Sequence, residues 1–167
     1  QLFLSLTSSV SNIGFSFNDN SKNLSFIFLI VVIIGGSFFS TSSGIRFLKI
    51  YSLFKYSINE ILSYSKPKNI YINKLLFSKE SFKLDEIHKY FLSIIIFIFS
   101  LLFLSFLLTL SGIEFEVSFK LSILTLMNTV NSSMYGLSDF SFYDLHFLTK
   151  YYLIFFMIIG RLELLTL

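Results

Sequence analysis

Tyr90 to Ile113 is a run of 24 residues without a single charge, and it contains no Pro and no Gly before Gly112. As a helix rising 1.5 Å per residue it would be about 36 Å long, enough to cross the ~30 Å hydrocarbon core of a bilayer. A second run, Leu24 to Ile45, is uncharged for 22 residues. Val117 to Val130 is apolar for 14 residues but bears Lys120, and Tyr151 to Leu167 is apolar apart from Arg161 and Glu163. Charged residues make up only 14% of the chain, against about a quarter in a soluble domain. That is too little charge to cover a globule. The chain is therefore expected to be an all-α integral membrane protein.

The four runs differ in what they can do. The 14-residue run from Val117 is too short to span. A helix that enters the membrane and turns back suits it better. The Leu24–Ile45 run contains Gly35-Gly36-Ser37 and Ser40-Thr41-Ser42-Ser43-Gly44, residues that weaken a helix or let two helices pack closely. Between the first two spans lies Thr41 to Lys89, which holds nine of the 13 Lys and Arg and four acids, a net charge of +5. The remaining connections are mostly acidic. The basic segment is thus expected on the cytoplasmic side, either as a partner surface or as a solvated face against anionic lipid. The first span then runs inward, the second outward, the third stretch dips in from outside, and the fourth runs inward. Pro67 is expected to break the basic segment, and the alternation Ile70, Ile72 suggests a short strand.

An internal repeat carries the functional reading. Ser11-Asn12-Ile13-Gly14-Phe15-Ser16 is similar to Ser133-Met134-Tyr135-Gly136-Leu137-Ser138, and Ile33-Ile34-Gly35-Gly36 to Ile158-Ile159-Gly160-Arg161. The unit is a spanning helix, a short re-entrant helix, a Gly-centred loop and a second spanning helix. Extended backbone at membrane depth leaves carbonyls unpaired, which is tolerated only in a water-filled path or inside protein. Carbonyl rings can replace the hydration shell of potassium, and a glycine permits the backbone angles that aim successive carbonyls at one axis. The expected architecture is potassium-channel-like. Both ends of the chain lie in apolar sequence, and a fragment of a longer protein is the expectation.

Three stretches resemble the TrkH/KtrB/HKT potassium uptake proteins. Asn12-Ile13-Gly14-Phe15 is similar to the Thr-Ala-Gly-Phe filter loop of that family. Gly35-Gly36-Ser37, followed by Ser40-Thr41-Ser42-Ser43-Gly44-Ile45-Arg46, is similar to its Gly-Gly-Ser…Ser-Thr-Ala-Gly-Gly-Ile-Lys. Lys150, Met157-Ile158-Ile159-Gly160-Arg161 and Leu165-Thr166-Leu167 are similar to its closing Lys…Met-x-x-Gly-Arg…Leu-Thr.

The resemblance implies that the chain holds the third and fourth of four pore units. Residues 1–56 would end the third unit, 57–89 would be a basic cytoplasmic linker, and 90–167 would form the fourth unit. It implies a filter at Asn12, Ile13, Gly14, Phe15, Met134, Tyr135, Gly136 and Leu137. It also implies a gate of Gly35, Gly36, Ser37, Ser40, Thr41 and Gly44 with Arg161 in the ion path. Read from the residues alone, Gly35 to Gly44 also fits a helix-packing face, and Arg161 also fits a snorkelling side chain or a partner for Glu163. Asn12 and Met134 stand where filter threonines are usual, so a sodium-permeable relative is the alternative, beside a secondary transporter of another broken-helix fold.

The implied function is potassium uptake across the bacterial inner membrane by a multi-pass homodimer, without enzymatic activity. The chain itself is expected to carry no cofactor and no metal beyond the transported potassium, and to bind lipid but no nucleic acid. A cytosolic nucleotide-binding regulatory subunit of TrkA/KtrA type is the implied partner, and any nucleotide would sit there. His88 and His146 stand alone at the predicted membrane boundaries. With no Cys, no Ser-His-Asp set and no P-loop, nothing points to catalysis.

Overall fold

A computed structural model describes residues 2–13, 22–34, 47–64, 84–129, 135–137, 140–143 and 145–161. Among them the secondary structure is all helical: α1 (Leu2–Val10), α2 (Lys22–Ile34), α3 (Phe47–Ser63), α4 (Leu84–Leu110), α5 (Phe115–Met127) and α6 (Phe147–Arg161). The expected Pro67 break and Ile70–Ile72 strand lie outside the described residues.

The uncharged run that dominates the sequence becomes α4. Its helix starts at Leu84, six residues before Tyr90, because Glu86, His88 and Lys89 extend it out of the apolar stretch. Within it, Glu86–Leu110 contains an 18-residue window of mean hydropathy 2.9 and is, among the described residues, the helix long and apolar enough to cross a membrane. One face, with Phe97, Leu101, Leu104 and Leu108, is buried at steps of three and four. The opposite face leaves Phe91, Ile95, Ile98, Phe99, Leu102, Phe103 and Phe106 exposed. An apolar surface that continuous has no place in water and suits lipid.

Gly112 ends α4. Its φ of +88° is left-handed, its N–H donates to the Thr109 carbonyl at 3.0 Å, and the Ile113 N–H reaches back to Leu108 at 3.4 Å. That is the Schellman pattern, which favours a residue without a Cβ. The turn returns the chain at once into α5, with Glu116 in the first turn, where a carboxylate complements the helix dipole.

α5 is the centre of the molecule. It packs against α2, α4 and α6, and every residue from Leu121 to Met127 is buried. Two of its hydroxyls are satisfied within the helix: Ser122 donates to the Ser118 carbonyl and Thr125 to the Leu121 carbonyl, each at 2.7 Å. At 13 residues it is about 20 Å long, shorter than the bilayer core. α6 lays Thr149, Leu153 and Phe156 inward at helical spacing. α1 packs on α2, and its buried residues are Ser5 and Ser9.

α3 follows as an amphipathic helix on α4, where Lys49 Nζ donates to Ser93 Oγ at 3.3 Å. The division at 56/57 therefore falls inside α3, and that at 89/90 inside α4. Apolar residues recurring at three and four carry the α3 helix across the point where charge density changes.

Candidate ion pathway

Two short helices in this structure end in the same way. At the end of α1, Asn12 has φ +57°, its N–H donates to the Ser9 carbonyl at 3.2 Å, and the Ile13 N–H donates to Ser8 at 3.1 Å. At the end of α5, Asn128 has φ +53°, its N–H donates to Thr125 at 3.1 Å, and the Thr129 N–H donates to Leu124 at 2.9 Å. Both are Schellman closures with asparagine in the left-handed position, which that side chain tolerates better than most. The sequence repeat pairs Asn12 with Met134. In backbone conformation the counterpart of Asn12 is instead Asn128, six positions earlier. The two helices thus stop at different distances from the glycines that follow. Neither asparagine was read as a helix cap from the sequence, although Asn just past a short apolar helix is the signal for one.

The second glycine loop shows how its backbone is held. Tyr135 is 0% exposed and Leu137 4%, both in the core cluster, while Gly136 between them is open. Gly136 has φ +72°. A Cβ there would lie 3.4 Å from Lys120 Nζ of α5 and 3.5 Å from Ser25 Oγ of α2. The loop is therefore pinned by two buried side chains, with a positive-φ glycine between them and two helices behind it. Of the expected filter residues, Asn12, Ile13, Tyr135, Gly136 and Leu137 are described. Gly14, Phe15 and Met134 lie outside the described residues, as do the expected gate residues Gly35, Gly36, Ser37, Ser40, Thr41 and Gly44. Ile13 is exposed and the Asn12 side chain is buried.

Arg161 is the last residue of α6 and is exposed. It follows Lys150 by eleven residues along the same helix, about 16 Å. Lys150 itself donates to the Tyr143 carbonyl at 3.0 Å and stands 5.8 Å from the centre of that ring. Glu163 lies outside the described residues.

Just before Arg161, α6 crosses the end of α5 at van der Waals range. Gly160 rests directly on the backbone of Leu126, so a Cβ there would overlap the Leu126 carbonyl. One turn earlier, the Met157 carbonyl accepts a hydrogen bond from Asn128 Nδ2 at 3.0 Å. The Met157-x-x-Gly160-Arg161 motif is thus the place where α6 is locked to the end of α5. Asn128→Ala is expected to lose both this bond and the left-handed preference, lowering stability by about 1–2 kcal/mol. Asn128→Gly keeps the backbone angle and loses only the bond, so it should melt between wild type and Asn128→Ala in detergent.

An open cleft of about 470 Å³ runs between α5 and α6, lined by Leu124, Thr125, Thr129, Lys150 and Met157 among others. Among the described residues no group of three His, Cys, Asp or Glu is placed to hold a metal ion. His88 and His146 are both exposed, and His146 Nδ1 accepts from the Leu148 N–H at 3.4 Å at the start of α6.

No curated protein matches the chain. The sequence profile of the TrkH family, described as cation transport protein, matches it over residues 1–167. The chain is a membrane protein and belongs to the TrkH family of cation transporters.

Proposed function

We propose that the chain forms the third and fourth of four pore units of a potassium uptake subunit in the bacterial inner membrane, multi-pass and dimeric. The observation that carries this reading is Gly136, a positive-φ glycine held between buried Tyr135 and Leu137, at the loop that follows the short α5, which is buried from Leu121 to Met127. A peptide plane fixed in this way can present its carbonyl to a dehydrated cation without reorganising, which is what replacing a hydration shell demands. The carbonyls of Asn12 to Phe15 and Met134 to Leu137 line the selecting path. Two loops make half a ring, and the two further units complete it.

α1 and α5 would enter from outside and stop within the membrane. Their C-terminal carbonyls then carry partial negative charge, roughly half a unit for each helix, toward the cation path. The matching left-handed asparagine closures of both helices support this reading. Gly35, Gly36, Ser37, Ser40, Thr41 and Gly44 form the gating loop under the filter, and Arg161 stands in the exit path. At about 8 Å and an effective dielectric of about 20, a unit charge there opposes a monovalent cation by about 2 kcal/mol, slowing flux without closing the path. Residues 57–89 are the basic cytoplasmic face that receives the nucleotide-binding regulatory subunit.

The experiment is rubidium and sodium uptake by the full-length protein in cells lacking their own potassium uptake, with a regulatory subunit supplied. Rubidium uptake exceeding sodium uptake supports a potassium filter. Equal uptake makes this a sodium-permeable relative, with Asn12 and Met134 the positions to exchange for Thr. Uptake of neither ion by protein present in the membrane overturns the reading.

A further inference from the structure

Lys120 is the one charge in the Val117–Val130 run, and it is placed where a bystander charge would be costly. Its side chain is only 16% exposed, and its Nζ lies 3.4 Å from where a Cβ on Gly136 would stand. The ammonium therefore sits where a side chain at position 136 would project, with the Ser25 hydroxyl of α2 beside it. One turn toward the start of α5, Glu116 pairs with it and is itself 71% exposed. A pair spaced by four residues with one partner largely in water adds little to helix stability. It does fix where the ammonium sits and partly neutralises it.

We propose that Lys120, oriented by Glu116, sets the affinity of the filter for its cation. The proposal rests on the reading of Gly136 as a filter glycine. A filter that binds too tightly does not conduct, because the ion must leave as readily as it enters. A positive charge behind the backbone weakens cation binding at the Gly136 carbonyl and its neighbours, and Glu116 trims that effect. Two unit charges about 8 Å apart at an effective dielectric of about 20 change a binding constant roughly thirtyfold, and partial neutralisation brings this to about tenfold. Lys120 thus acts as a positioning and specificity residue that never touches the ion. The two side chains should act in opposite directions, which a purely structural ion pair would not do.

The test is the concentration dependence of rubidium uptake by the full-length protein, comparing wild type with Lys120→Met, Glu116→Gln and the double variant. The expected result is an apparent KM about tenfold lower in Lys120→Met, with a reduced maximal rate because release is slowed. Glu116→Gln should raise KM severalfold, and the double variant should follow Lys120→Met. Shifts in the same direction, or KM values within twofold of wild type while wild type transports, overturn this proposal and leave the filter reading standing. A wild type that is present in the membrane but takes up no rubidium overturns the filter reading, and this proposal with it. If Lys120→Met does not reach the membrane, Lys120→Arg and Glu116→Gln decide. Arg must keep the wild-type KM and Gln must raise it, and either failing overturns the proposal.

Discussion

Gly136→Ala is expected to abolish rubidium uptake while leaving the protein in the membrane at close to normal levels. Space is not the obstacle. The nearest atoms to an added Cβ are the flexible end of Lys120 at 3.4 Å and Ser25 Oγ at 3.5 Å, which can give by tenths of an ångström. The obstacle is the backbone angle of +72°, which costs an L-residue roughly 1–2 kcal/mol. A fold held by the packing of α2, α4, α5 and α6 survives that loss. The loop escapes the strain by turning the peptide toward negative φ, and that turns the carbonyl away from the direction it held. Gly136→Asn separates the two effects, since asparagine tolerates positive φ and should retain more uptake than alanine despite its larger side chain. Alanine transporting as well as wild type would show that the angle at 136 has no part in ion passage.

Gly160→Ala should fail for the opposite reason. Here φ is not in question. The added Cβ would overlap the Leu126 carbonyl, which is backbone of a buried helix end rather than a side-chain end that can swing away. α6 must move off α5, and the Asn128 Nδ2 to Met157 carbonyl bond goes with it. Overpacking of this kind costs about 1–3 kcal/mol, and the lost hydrogen bond adds about 1 kcal/mol. The expected result is a clearly lower melting temperature in detergent and reduced protein in the membrane, with uptake falling in proportion. Gly160→Ala melting with wild type would mean that α5 and α6 do not cross this closely.

The parts of the fold that were legible in the sequence are those set by local pattern. The uncharged run of 24 residues marks α4, but it misses the first turns, where polar residues continue the helix, and it runs past the helix end at Leu110. The 14-residue run with Lys120 gave α5 as a short helix. What escaped is tertiary. Gly160 is visible in the sequence as the partner of Gly35 in a repeat and as part of the Met-x-x-Gly-Arg motif, but the reason for a glycine there is Leu126, far away in sequence and touching in space. In the sequence Lys120 is an isolated charge in a short apolar run; only the fold brings it beside Gly136. Asn12 was matched to Met134 by distance from a glycine, whereas the helix-ending conformation it adopts recurs at Asn128. A repeat aligned on glycines does not register helices that stop at different distances from them.

The proposed function requires the full-length protein to take up potassium along a path lined by the Gly136 loop. The most direct measurement is rubidium flux into proteoliposomes carrying the purified full-length protein, with potassium and then sodium as competitor, beside a Gly136→Asp control. The account predicts flux in wild type that potassium suppresses at lower concentration than sodium, and none in Gly136→Asp. Rubidium flux that persists in Gly136→Asp would contradict it, because a carboxylate at that position cannot leave a carbonyl filter intact.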